Sequence, residues 1–210
     1  MYLTEAIVAE LEARWGRPWL AHAAAELTER EMALIRRERA RERAHDVTLL
    51  IQDGDRFAVM RKHSYPPGLF RPPSGGVLRG ESVEDGCRRE AHEETGLDVA
   101  LERYLLRIAA QFTCGDEIVE WTTHIFHCRT AGGSLQVIDA REILEVSWAT
   151  LEDLTTRLPA MMRAIGIAGM LYRAELQEAT LAAAGLAPWP PRPPRIVRLL
   201  EPLPAAPKEP

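Results

Sequence analysis

Cysteine is scarce: three in 210 residues (Cys87, Cys114, Cys128), odd in number and widely spaced. That suits a reducing compartment better than a disulfide framework, with each thiol read as a small buried apolar residue. Long apolar runs are missing too. No uncharged stretch approaches the roughly eighteen residues of a membrane span, so no membrane partner is expected. There is no surplus of positive charge: 26 Lys+Arg stand against 31 Asp+Glu, a formal charge of -5. This argues against a nucleic-acid coat protein and against long nucleic acid as a partner. The opening MYLTEAIVAELEAR lacks the basic and small-residue pattern of a secretory signal or transit peptide, so a cytoplasmic location is expected. What is present, 46% hydrophobic and 27% charged residues, describes one globular domain with appendages.

The first 45 residues are expected to form a helical extension. Leu3, Ile7, Val8, Leu11 and Trp15 share one face of a first helix, and Gly16 to Pro18 interrupt it. A second helix is expected over Ala21–Ala44. It ends in the mixed-sign run Arg36 to Arg43, read as a solvated face laced with ion pairs. Its apolar residues Leu27, Leu34 and Ile35 suggest packing on the main domain or on a second subunit, hence a homodimer through these helices. From Val47 the period drops to two. Strands are expected at Val47–Ile51 and Phe57–Met60 around the turn Asp53-Gly54-Asp55, then at Leu101–Phe112, Ile118–His127 and Leu144–Trp148. A proline- and glycine-rich loop spans His63 to Gly76. The apolar, alanine-rich stretch Met161–Ala184 reads as helix despite Gly166 and Gly169, and the proline-dense segment 186–210 as an extended tail.

The chemistry concentrates between Gly75 and Leu97. Ser82 with Asp85 three residues on starts a helix, and Gly96 sits where a left-handed cap ends it. Val83, Cys87 and Ala91 recur every four residues as the packing face. Glu90, Glu93 and Glu94 crowd another face at spacings where like charges repel. Arg89, four residues before Glu93, offsets part of that charge. One arginine cannot balance three glutamates, and an oxygen-rich cluster with open positions suits Mg2+ or Mn2+ shared with substrate phosphates.

Gly75, Glu81, Arg89, Glu90, Glu93, Glu94, Gly96 and Leu97 stand in the register of G-x5-E-x7-R-E-U-x-E-E-x-G-U. The segment therefore resembles the Nudix box, with Ala91 the single departure, smaller than the usual aliphatic residue. The resemblance implies an α/β/α sandwich around a mixed sheet from about Asp46 to Leu158, within a domain taken as 46–185. It implies metal-dependent hydrolysis of a nucleoside diphosphate linked to another moiety, a small phosphorylated, nucleotide-type substrate. Glu90 and Glu94 would be metal ligands, Glu93 a further ligand or the base, and the Gly75 carbonyl an additional ligand. Arg89 would hold Glu93 by an ion pair, and Glu81 would support the loop or a second metal.

Glu117, Glu120, Glu142 and Glu145 are candidates for a further acid from a later loop. Arg61, Lys62, His63 and Arg71 flank the approach to the box, with Arg61 and Arg71 the substrate-binding candidates for a distal phosphate. Tyr65, Phe70 and Trp121 are candidate stacking aromatics. His124 and His127, three apart on a strand, point to opposite faces and make no joint metal site. Marks of known subfamilies are missing: Phe112, Thr113, Cys114 and Gly115 stand where a proline or tyrosine is expected, and Arg61–Phe70 does not align with the coenzyme A motif. Two rivals remain. A non-catalytic nucleotide- or metabolite-sensing Nudix domain is disfavoured by the intact carboxylates. A prenyl diphosphate isomerase on the same fold would need a cysteine facing them.

Overall fold

The computed structural model of the chain describes residues 3–39, 45–188 and 196–199. One mixed sheet carries the fold. Its strands are β1 (Trp19–Glu26), β2 (His45–Asp53), β3 (Arg56–Lys62), β4 (Ser74–Gly76), β5 (Leu97–Cys114), β6 (Glu117–Gly133), β7 (Ile143–Thr150) and β8 (Val197–Leu199). They lie in the order β7-β3-β2-β6-β5-β1-β8, with β4 paired to β2 beside that path. The β1–β5 and β2–β6 pairs are parallel and the others antiparallel. The turn at Asp53 to Asp55 joins β2 to β3 as expected, with Gly54 at φ 63 where an L side chain is strained.

Helices cover both faces. Leu11 of α1 (Glu5–Trp15) and Val83, Cys87 and Ala91 of α3 (Val83–Thr95) pack on Val47, Leu49, Ile51 and Phe126. On the opposite face, Leu158 and Met162 of α4 (Leu158–Ile165) and Leu176 and Ala179 of α5 (Ala168–Ala183) pack on Leu50, Val59, Ile108 and Ile125. Alternation along β2 sends Leu49 one way and Leu50 the other, so a single strand feeds both cores.

Three expectations are corrected. The helix from Ala21 is instead strand β1 followed by the shorter α2 (Glu29–Arg39). Ala21, Ala23 and Ala25 are buried while His22, Ala24 and Glu26 are exposed, a period of two set by pairing with β5 and overriding alanine's helix propensity. The stretch 161–184 is two helices, because Gly166 at φ 76 ends α4; Gly169 is held inside α5, its N–H donating to Glu31 Oε1 at 2.8 Å. Within the tail, residues 197–199 form β8 against β1, and the Glu175 carboxylate accepts from the N–H groups of Ile196 (2.9 Å) and Val197 (2.8 Å). The prolines Pro190 to Pro194 and the end of the Arg36–Arg43 run lie outside the described residues. In the described part of that run Arg36 pairs with Glu29 and Glu117, and Arg39 donates to the Glu120 carbonyl. Met32 of α2, Leu27 before it and Val8 and Leu11 of α1 are buried within the chain and Ile35 packs partly on the core, whereas Leu34 is 62% exposed. Among the described residues no helix is long and apolar enough to cross a membrane.

Candidate active site

The site is built on α3, whose ends are fixed as its sequence demands. Ser82 is the N-cap, its Oγ accepting from the Asp85 N–H at 3.0 Å. Gly96 closes the helix at φ 73, where a Cβ would also lie 2.6 Å from the Ser134 carbonyl. Beside its apolar face, α3 turns Glu90 and Glu94 inward towards β4; they are 7% and 4% exposed. Gly75 makes this possible. A Cβ there would sit 2.0 Å from the Glu90 carboxylate, so only glycine lets the strand and the acid meet.

Arg89 gathers the carboxylates, reaching Glu93 and three further partners. Its Nε and Nη2 grip Glu81 at 2.7 and 2.9 Å, its Nη1 reaches Glu90 at 2.6 Å and Glu93 at 3.0 Å, and Nη2 also donates to the Gly76 carbonyl at 2.8 Å. Burial alone would push the Glu81 carboxyl up, but the Arg89 fork and the Leu78 N–H outweigh it and hold it below the usual carboxylate range. Glu81 therefore ties the loop before α3 to Arg89 in this structure. The Glu93 side chain is 47% exposed and stands at the solvent edge.

Glu94 lies beyond Arg89's reach and has separate partners. The Ser74 N–H donates to its Oε2 at 2.7 Å, while Lys62 Nζ and Arg71 Nη2 stand 3.8 and 3.9 Å from its Oε1. Burial pushes this carboxyl up to about 7 despite both cations. Arg71 is 3% exposed and donates to Tyr65 Oη (3.0 Å), the Pro72 carbonyl (2.8 Å) and Ser74 Oγ (2.7 Å), so it lies beneath Glu94 instead of on the surface. Arg61 pairs with Glu145 at 2.8 Å across β3 and β7.

The other candidates separate. Glu142 is joined to Glu94 through Lys62. Glu117 pairs with Arg36 near the β5–β6 turn. Phe70 is core; Tyr65 and Trp121 are partly buried against it. His124 is buried, bonded to His45 (3.2 Å) and Tyr104 (2.5 Å), whereas His127 meets Gln52 at 2.9 Å, so the two point apart as expected. Cys87 and Cys128 are buried in the α3-side core, and burial pushes both thiols up; Cys114 donates to Glu29. None supplies the poised thiol an isomerase would need. Sequence reasoning missed Asp139, whose N–H donates to the Glu93 carbonyl at 3.1 Å, and Asp46 on β2. Burial raises the Asp46 carboxyl against hydrogen bonds from Thr123 and Trp121, and its Oδ1 has no partner among the described residues. No local spacing marks either acid.

The donor set is all oxygen: two buried carboxylates, a half-exposed one and the main chain of β4. That chemistry fits a hard divalent cation, and the charge cost built into buried Glu94 is what a cation would relieve. Among the described residues no three His, Cys, Asp or Glu side chains converge as a ready cage, since the glutamates are turned to Arg89, the Ser74 N–H and Lys62.

Fold and site together define a mixed α/β protein with an acidic, cation-fitting cluster on one capped helix. The NUDIX domain family matches residues 41–167, and the chain belongs to that family. It is 29% identical over 110 residues to "NAD(P)H pyrophosphatase NUDT13, mitochondrial" of Homo sapiens, covering 52% of this chain and 30% of that protein. It is 33% identical over 112 residues to "NAD-capped RNA hydrolase NudC" of Stutzerimonas stutzeri (strain A1501), covering 53% and 38%. A crystal structure of UDP-X diphosphatase is similar at TM-score 0.42 and 20% identity, covering 60% of this chain and 61% of that one. The chain thus spans about a third of the length of such curated relatives, 30% and 38%.

Proposed function

We propose that this chain hydrolyses a pyrophosphate bond in a nucleoside diphosphate linked to another moiety, with Mg2+ or Mn2+ as cofactor. The observation that carries the reading is the pair Glu90 and Glu94, buried on one face of α3, Glu90 against Gly75 where a Cβ would not fit and Glu94 against the Ser74 N–H. Glu90, Glu94 and the Gly75 carbonyl would hold the ion, with Glu93 beside them. A divalent ion would supply charge neutralisation for the pyrophosphate and a more acidic water. Glu93, open to solvent and steered by Arg89, takes the proton from the attacking water. Water then adds across the P–O–P linkage and leaves two phosphorylated fragments. Arg61, 15% exposed on β3, is the cation proposed to meet the distal phosphate after parting from Glu145.

The names of the relatives put NADH, NADPH and an NAD-capped RNA first among substrates to try, beside nucleoside triphosphates, nucleotide sugars, dinucleoside polyphosphates and coenzyme A. Phosphate release after phosphatase coupling reads the panel. Glu93→Gln and Glu94→Gln are each expected to lower turnover by about a hundredfold or more on the best substrate. Wild-type turnover in both variants would overturn the site assignment. No turnover anywhere, with tight nucleotide binding, would favour the sensing domain.

A further inference from the structure

Arginine supplies nearly all the positive charge of this chain. Of the 26 Lys and Arg residues only two are lysines, Lys62 and Lys208. Lys208 lies outside the described residues, so the one described lysine is the one whose ammonium stands between two acids of the site. Its Nζ is ion-paired to Glu142 and lies 3.8 Å from Glu94 Oε1.

The backbone aims it there. Lys62 ends β3, and the β3–β7 register shifts between Arg61, opposite Glu145, and Lys62, opposite Ile143. Irregularities of this kind re-aim a side chain beside a site. Arg61 pairs with Glu145 while Lys62 turns to α3. Glu142 is held on a loop latched to the same helix, with the Asp139 N–H on the Glu93 carbonyl and the Glu142 N–H on the Asp139 carbonyl, both at 3.1 Å.

The two cations near Glu94 Oε1 are not equivalent. Arg71 is locked by Tyr65, Pro72 and Ser74 and is 3% exposed. Lys62 is 24% exposed, on a flexible four-carbon stem with no planar fork to hold it. An ammonium and a divalent ion cannot share one carboxylate oxygen without like-charge repulsion, and of the two only Lys62 is free to withdraw.

We propose that Lys62 is a displaceable internal counter-ion: it holds Glu94 and Glu142 until a divalent ion binds Glu94, and then swings out of the site. Lys62 acts through Glu94 and is a positioning residue. The inference rests on the proposed reading of Glu94 as a metal ligand, so the test reads metal uptake and lysine position separately.

The full chain is treated with a limiting amine-acylating reagent, with and without saturating Mn2+. Mass spectrometry gives acylation of Lys62 relative to Lys208, which serves as internal reference, and electron paramagnetic resonance of free Mn2+ gives occupancy. On saturation the Lys62 to Lys208 ratio is expected to rise by roughly threefold or more, as the ammonium leaves its two carboxylates. An unchanged or lower ratio at the same occupancy overturns the proposal while metal uptake stands. In a second arm, Lys62→Met is expected to bind Mn2+ roughly threefold more tightly than wild type, and equal or weaker binding counts against the proposal. Should that variant fail to fold, labelling of the wild type still decides. No uptake of Mn2+ by wild type removes the metal-ligand reading itself and this inference with it.

Discussion

Glu90 and Glu94 stand one helical turn apart, yet different residues surround each of them. Glu90 shares Arg89 with two other acids and needs the bare Cα of Gly75 beside it; Glu94 has the Ser74 N–H and two more distant cations. Gly75→Ala is therefore expected to cost about 1–3 kcal/mol by overpacking and to weaken Mn2+ binding at the same time, seen in thermal melts and a Mn2+ titration. His45 of β2 and His124 of β6 are stacked with ring centroids 5.4 Å apart. Burial depresses them to about 4 and about 3. The unfolded chain takes up these protons near pH 6.5, before the folded chain does, so the stability they contribute is present above that value and is lost as pH falls towards 4. The slope is expected to be about 1.4 kcal/mol per pH unit for each histidine titrating only in the unfolded state. Melting curves from pH 7 to 4 should show it, and His124→Gln should flatten it.

At the scale of elements, α3 was legible because everything that defines it is local: Ser82, the four-residue apolar repeat, the acids and Gly96 all act within one short stretch. Strand β1 was not. Ala21 to Ala25 favour helix by propensity, and what makes them strand is pairing with residues 106–113 and 197–199, far away in sequence. A pair of substitutions tests the strand directly. Ala23→Lys buries a charge and should cost about 3 kcal/mol or more, whereas its neighbour Ala24→Lys should stay within about 0.5 kcal/mol, both read by chemical denaturation. The same distinction governs the site. Glu90, Glu93, Glu94 and Arg89 could be listed from one window, but the meeting of Lys62, Glu142 and Glu94 joins β3, α3 and the loop before β7, and no spacing rule reaches that far.

For the whole molecule, one buried acid fastens the end of the sheet. Glu175 on α5 receives two backbone N–H groups of the segment that becomes β8. Glu175→Ala leaves those donors unmet and is expected to cost about 1–3 kcal/mol, with hydrogen exchange rising first at Val197 and at Ala23 opposite it. Strand β1 also bears on the order in which the chain folds. It precedes both of its partners: the strand it lies parallel to follows much later in the chain and the strand that covers its outer edge later still. Until residues 197–199 follow, a run of unpaired backbone groups at the outer edge of β1 stays open to any other strand, so slow pairing and edge-to-edge aggregation are expected to fall there.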